Sequence, residues 1–162
     1  MRHTLVLLRH AQAVDYASGR TDHQRPLTDK GRTQAARVGR ALGDRGVHVD
    51  SALCSSSTRT RETLDGTGLL CPAEYSDAIY NASSDTIVEE IRGVDESVGT
   101  LIVVGHAPGI PTLAHELAGD GSDQQAVAEI RDRFPTATCC VLETDDPWAE
   151  LTQGRLVFVT RG

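Results

Sequence analysis

The apolar positions of this chain fall into short blocks with polar stretches between them. Leu5 to Leu8 is a continuous apolar run ended by Arg9, the pattern of a strand buried on both faces. The polar stretch from Gln12 to Pro26, punctuated by Gly19 and Pro26, reads as a loop. Thr28 is placed to cap a helix, and Asp29 suits its first turn because the positive end of the helix dipole favours a carboxylate. Ala35, Val38 and Leu42 keep helical spacing up to the stops offered by Gly43 and Gly46. Ser51 to Cys54 reads as a second strand. The polar run from Ser55 to Thr58 then caps a helix that reaches Gly66 or Gly68.

Ser84 opens a further helical pattern with Ile87, Val88, Ile91 and Val94. Leu101 to Val104 is another buried strand, bounded by Gly99 and Gly105. Ile110, Leu113, Ala114 and Leu117 share one face of a short helix that Gly119 ends. The polar segment from Asp120 to Arg133 carries no pattern that places it. Thr138 to Leu142 and Leu156 to Val159 read as two more strands, with a turn around Asp145-Asp146-Pro147. Strands alternating with helices predict an α/β fold, a three-layer α/β/α sandwich with a mostly parallel central sheet. With no internal repeat and no linker, residues 1–162 are read as a single domain.

Composition narrows the function classes. Sixteen Lys and Arg against twenty-three Asp and Glu leave a net charge of −7, which argues against nucleic acid as a partner. It also makes any local cluster of arginines more notable. The four cysteines, Cys54, Cys71, Cys139 and Cys140, form no C-x-x-C pair and no zinc spacing. They are expected to be free thiols in a reducing cytoplasm, and neither a metal nor another cofactor is expected. The apolar run at Leu5 to Leu8 is too short for a signal sequence or a membrane span, so a cytoplasmic protein without membrane attachment is expected. It is read as a monomer.

Candidate chemistry sits where three strands end. Arg9-His10-Ala11 follows the first, Ser55 to Arg59 the second, and Gly105-His106-Ala107-Pro108-Gly109 follows the Leu101–Val104 strand. In open α/β sheets ligands bind outside the carboxyl ends of strands, so Arg9, His10, Arg59 and His106 can converge on one rim. Each segment alone has a plain structural reading, as a strand end, a helix cap or a turn. Their coincidence at matching positions weakens that reading. His3 and His48 are expected at the surface, and His115 is expected to be structural.

These motifs carry a resemblance. Leu8-Arg9-His10-Ala11 resembles the Arg-His-Gly/Ala motif of the histidine phosphatase superfamily, also called phosphoglycerate mutase-like. Arg25-Pro26-Leu27-Thr28 with Gly31, the segment from Cys54 to Thr63, and Val104 to Gly109 resemble further motifs of its small bacterial, SixA-like branch, in the same order. Ser56 stands where the family often has Pro, Glu62 where it often has Gln, and Ala11 where Gly is commoner. The resemblance implies the phosphoglycerate mutase-like fold and a metal-independent phosphatase. It implies that His10 is the nucleophile, that Arg9, Arg59 and His106 bind the phosphoryl group, and that Arg25 lies near the pocket as a further phosphate ligand, the alternative for Arg25 being a surface role. The implied partner is a phosphohistidine-bearing protein or a small phosphorylated substrate.

The residue types suit that chemistry. Arginine's planar fork pairs bidentately with phosphoryl oxygens, and a neutral imidazole can attack phosphorus if one ring nitrogen is free and the other is fixed, for example by a backbone carbonyl. His106 is expected to donate a hydrogen bond or positive charge to the equatorial oxygens. No motif marks a general acid. Asp77 is the possible proton donor, and Asp22 is either a proton carrier or a turn cap. An imidazole leaving group needs less acid catalysis than an alkoxide, which favours a phosphohistidine phosphatase. The alternatives are a small-molecule phosphomonoesterase using Asp77 and a non-catalytic phosphate-binding module. A mutase is disfavoured because the chain is too short for the usual insertions.

Overall fold

A computed structural model describes residues 2–17 and 19–162. Its centre is a six-stranded sheet in the order β3-β2-β4-β1-β5-β6. The strands are β1 (His3–Arg9), β2 (Ser51–Ser55), β3 (Ala73–Ser76), β4 (Thr100–Gly105), β5 (Thr138–Thr144) and β6 (Arg155–Arg161). β1 to β4 run parallel, while β5 and β6 pair antiparallel, so the sheet is mostly parallel as expected.

Among the described residues five α-helices cover it: α1 (Asp29–Asp44), α2 (Thr58–Gly66), α3 (Ser84–Arg92), α4 (Gly109–Leu117) and α5 (Gln124–Asp132). Side chains alternate across the buried strands. Val6, Leu8, Ile102 and Val104 join Ala35, Val38 and Leu42 of α1 and Leu64 of α2 on one face. Leu5, Leu7, Leu101 and Val103 join α3, α4 and α5 on the other, through Ile87, Ile91, Leu113 and Ile130. Continuous apolar runs are needed at β1 and β4 because both of their faces are covered.

The helix starts follow the caps read from sequence. Thr28 Oγ1 accepts from the Gly31 amide, and Ser57 Oγ accepts from Thr60. α1 runs through Gly43 and stops beside Gly46, which adopts φ +77°. The segment from Asp120 to Arg133 holds α5, capped by Asp123.

His3 departs from its expected surface position. It is buried, stacked on the Trp148 ring at 4.4 Å between centroids, with ring nitrogens on the carbonyls of Asp146 and Glu96. The reason is the β1–β5 pairing, which covers the start of β1 with the chain that follows β5. His48 is exposed, and His115 bonds to the Ile130 carbonyl. Cys54, Cys139 and Cys140 are buried and Cys71 half-buried, all four as free thiols. Burial pushes the Cys54 and Cys139 thiols up to about 12. Among the described residues, no helix is long and apolar enough to cross a membrane.

Candidate active site

The three strand ends meet because β2, β4 and β1 are neighbours with matched register. Arg9 pairs with Gly105, and Cys54 pairs with Val104. The residues that follow these pairs, His10, His106 and Ser55, therefore emerge side by side at the carboxyl edge. The His10 and His106 ring centroids are 5.3 Å apart. Arg59 reaches the same place from the first turn of α2.

His10 is held by backbone. Its amide donates to the Gly105 carbonyl, and its carbonyl accepts from the Ala137 amide. Nδ1 lies 2.7 Å from the carbonyl oxygen of Ala11. A carbonyl only accepts, so Nδ1 carries the hydrogen and Nε2 keeps a bare lone pair. Nε2 makes no hydrogen bond among the described residues. Burial pushes the imidazole down to about 4 against the raising effect of the Ala11 bond, and the charges of Arg59, Arg9 and Arg25 lower it further. The ring is neutral at pH 7.

The Ala11 carbonyl is itself fixed from two sides. The Ala11 amide donates to Thr63 Oγ1, whose hydroxyl donates back to the Arg59 carbonyl. The Gln12 backbone lies against α1 at Gly31, where a Cβ would sit 2.1 Å from the Gln12 oxygen. Only glycine permits that approach, which explains Gly31 in physical terms.

Arg9 and Arg59 supply the charge. Arg59 is 5% exposed. It donates through Nη1 to the Asp22 carbonyl at 2.9 Å and through Nη2 to the Asp22 carboxylate at 3.1 Å. Arg9 donates Nη1 to the Phe134 carbonyl at 2.8 Å. The Nε atoms of both arginines are buried without a hydrogen-bond partner among the described residues. The charges of Arg59 and Arg9 act on a bare imidazole nitrogen, an arrangement that suits an oxyanion.

Asp22 belongs to this cluster. Its carboxylate also accepts from Tyr80 Oη and, at 2.8 Å, from Arg25 Nη1. Tyr80 and the two arginines hold it well below the usual carboxylate range, so it is ionised at neutral pH. Arg25 spends its guanidinium on Asp22 and the Val14 carbonyl, and is joined to the pocket through Asp22. Asp77 is exposed and accepts from Ser56 Oγ, which also lies 3.0 Å from His23 Nε2. The His23 ring packs edge-on against Tyr80, 4.9 Å between centroids, so Asp77 braces the rim through Ser56 and His23.

His106 is 6% exposed. Its Nε2 lies 2.8 Å from Ser55 Oγ and its Nδ1 lies 3.3 Å from Arg59 Nη2. Burial, then the Arg59 charge, push it down to about 3. Tyr80 and the Phe134 carbonyl were not singled out by sequence, and Ser55 entered only as part of the run after the second strand. Ser55 carried a usable signal, because it ends a strand next to the one that delivers His106. Tyr80 and Phe134 meet the site only through the fold. Among the described residues, no three His, Cys, Asp or Glu side chains gather as a metal cage.

The chain also resembles known proteins in sequence and fold. The family model described as histidine phosphatase superfamily (branch 1) matches residues 5–78. An uncharacterized protein of Mycobacterium tuberculosis is 41% identical over 153 residues, covering 94% of this chain and 96% of that protein. Another, from Mycobacterium leprae, is 33% identical over 148 residues, covering 89% and 91%. Among solved structures, a candidate phosphohistidine phosphatase SixA from Nakamurella multipartitia superposes with a TM-score of 0.89 at 36% identity, over 99% of this chain and 96% of that one. A candidate SixA from Agrobacterium tumefaciens gives 0.82 at 28% identity, over 98% and 97%. From its strand-end motifs to its sheet order, the chain belongs to the histidine phosphatase superfamily, on its SixA-like side, and is a phosphatase.

Proposed function

We propose that this phosphatase removes the phosphoryl group from phosphohistidine on a protein, through a covalent phosphohistidine at His10. The observation that carries the reading is the His10 imidazole itself. Its Nδ1 is tied to the Ala11 carbonyl and its Nε2 is bare and neutral beside Arg9 and Arg59. Nε2 attacks phosphorus, the leaving imidazole departs, and water then takes the phosphoryl group from His10. Arg9, Arg59 and His106 hold the equatorial oxygens, where transition-state charge is spread.

The leaving group follows from the acids. The carboxylate at the clamp, Asp22, is held ionised by Tyr80 and the arginines, so it has no proton to give an alkoxide. An imidazole leaves more easily and arrives already able to carry a proton. The names borne by the structural neighbours at 36% and 28% identity support the same substrate class. The competing reading makes Asp77 the acid of a small-molecule phosphomonoesterase. Measuring kcat/KM for a phosphohistidine peptide and for an alkyl phosphate, in wild type and Asp77→Asn, separates them. The proposal expects the peptide to be preferred in both proteins. An alkyl ester that leads in wild type and loses its lead in Asp77→Asn would replace it.

A further inference from the structure

The contacts of His106 fix where its hydrogen lies. Arg59 Nη2 is 3.3 Å from Nδ1, and a guanidinium only donates, so Nδ1 accepts. The ring hydrogen therefore sits on Nε2 and is donated to Ser55 Oγ at 2.8 Å. A second ring proton is disfavoured by burial and by the charges of Arg59 and Arg9, with Asp22 opposing them. An oxyanion in the clamp reverses the demand on the ring. Nδ1 is the nitrogen on the Arg59 side, so an oxyanion lodged between them would take the Nη2 hydrogen now aimed at Nδ1, and anion oxygens only accept. His106 then contributes a hydrogen bond only if its hydrogen is on Nδ1.

On the reading that the clamp takes a phosphoryl group, we infer that Ser55 is the positioning residue that lets His106 exchange tautomers when the anion binds, without the ring becoming charged. A hydroxyl both donates and accepts. With the site empty, Ser55 accepts from Nε2–H. With the anion present, it donates to a bare Nε2 while Nδ1–H faces the anion. One hydrogen leaves Nε2 and one arrives on Nδ1 through solvent, so the ring stays neutral. Ser55 is built for this place. It is fully buried at the end of β2, beside the strand that delivers His106, and its oxygen also accepts from the Ser57 amide at 3.4 Å. That leaves its own hydrogen available to turn toward the ring.

The test uses vanadate as the anion and protein whose histidines carry the heavy nitrogen isotope, with His106 signals assigned by their loss in His106→Gln. Free protein is expected to show a bare Nδ1 and a protonated Nε2. Saturating vanadate is expected to reverse the two while the ring remains neutral. If vanadate shifts His10 but the His106 hydrogen stays on Nε2, or both nitrogens become protonated, the inference is wrong and the phosphate-site reading stands. If neither histidine responds to vanadate, both fall. In activity, Ser55→Ala is expected to lose at least about tenfold in kcat, the equivalent of about 1.4 kcal/mol. Ser55→Thr, which keeps a hydroxyl, is expected to restore both rate and reversal. An alanine variant with wild-type kcat would overturn the assignment.

Discussion

Arg59 sends its guanidinium to Asp22 and His106, whereas Arg61 lies over the Tyr75 ring at 4.0 Å and donates to the Ser56 carbonyl. On the proposed mechanism only Arg59 meets the transition state. Arg59→Ala is expected to lower kcat/KM by about a hundredfold, or about 3 kcal/mol, while Arg61→Ala changes it several-fold at most. Steady-state kinetics of the two variants check this, and equal losses would place the clamp elsewhere. The two histidines predict a pH dependence of stability. His10 is held at about 4 and His106 at about 3, both below the unfolded value near 6.5. Between those limits the unfolded chain binds more protons, so stability is full above about pH 6.5 and is lost as pH falls toward 4. Thermal melts from pH 7.5 down to 5 are expected to show a falling Tm, and the fall is expected to shrink in a His10→Gln, His106→Gln double variant. A Tm that does not change in either protein would mean that these rings are not held neutral by burial.

At the scale of elements, the helix that carries Arg59 is set by how closely α1 and α2 pack. A Cβ at Gly39 of α1 would sit 2.0 Å from the Thr67 carbonyl, just past the end of α2, whereas one at Gly43 meets nothing within 4 Å. Gly39→Ala is therefore expected to lose roughly 1–3 kcal/mol or more, the range for overpacking. Gly43→Ala is expected to gain up to about 1 kcal/mol from reduced unfolded-state entropy. Denaturant unfolding of both variants tests the pair. The same contrast governs what sequence could reveal. β1 and β4 were legible because burial on both faces demands unbroken apolar runs, and α1 and α2 because their caps are local. β3 was not, since Ala73 to Tyr75 are exposed at the sheet edge and show no apolar pattern. α5 buries only Ala126 and Ile130, too few to reveal a helical period. In the candidate site, Arg9, His10, Arg59 and His106 were visible because each lies at or just after a strand end. The Tyr80–Asp22 bond spans 58 residues, and such a contact is written only in the topology.

For the molecule as a whole, a net charge of −7 repels phosphate, and the carboxyl edge of the sheet reverses that locally with Arg9, Arg25 and Arg59. The pocket's charge comes from side chains. Chelators are accordingly expected to leave activity unchanged and vanadate to inhibit, and activity that vanished with chelator and returned with a divalent ion would point to another reaction class. The claim on which the account turns is the bond between His10 and phosphorus. Its direct measurement is the intact mass of the enzyme, quenched in alkali during turnover of a phosphohistidine substrate, because acid would destroy the product sought. The account predicts wild-type protein carrying one added phosphoryl group, located on His10, and His10→Ala carrying none and turning over nothing. Wild-type protein that never gains that mass, together with an active His10→Ala, would contradict it.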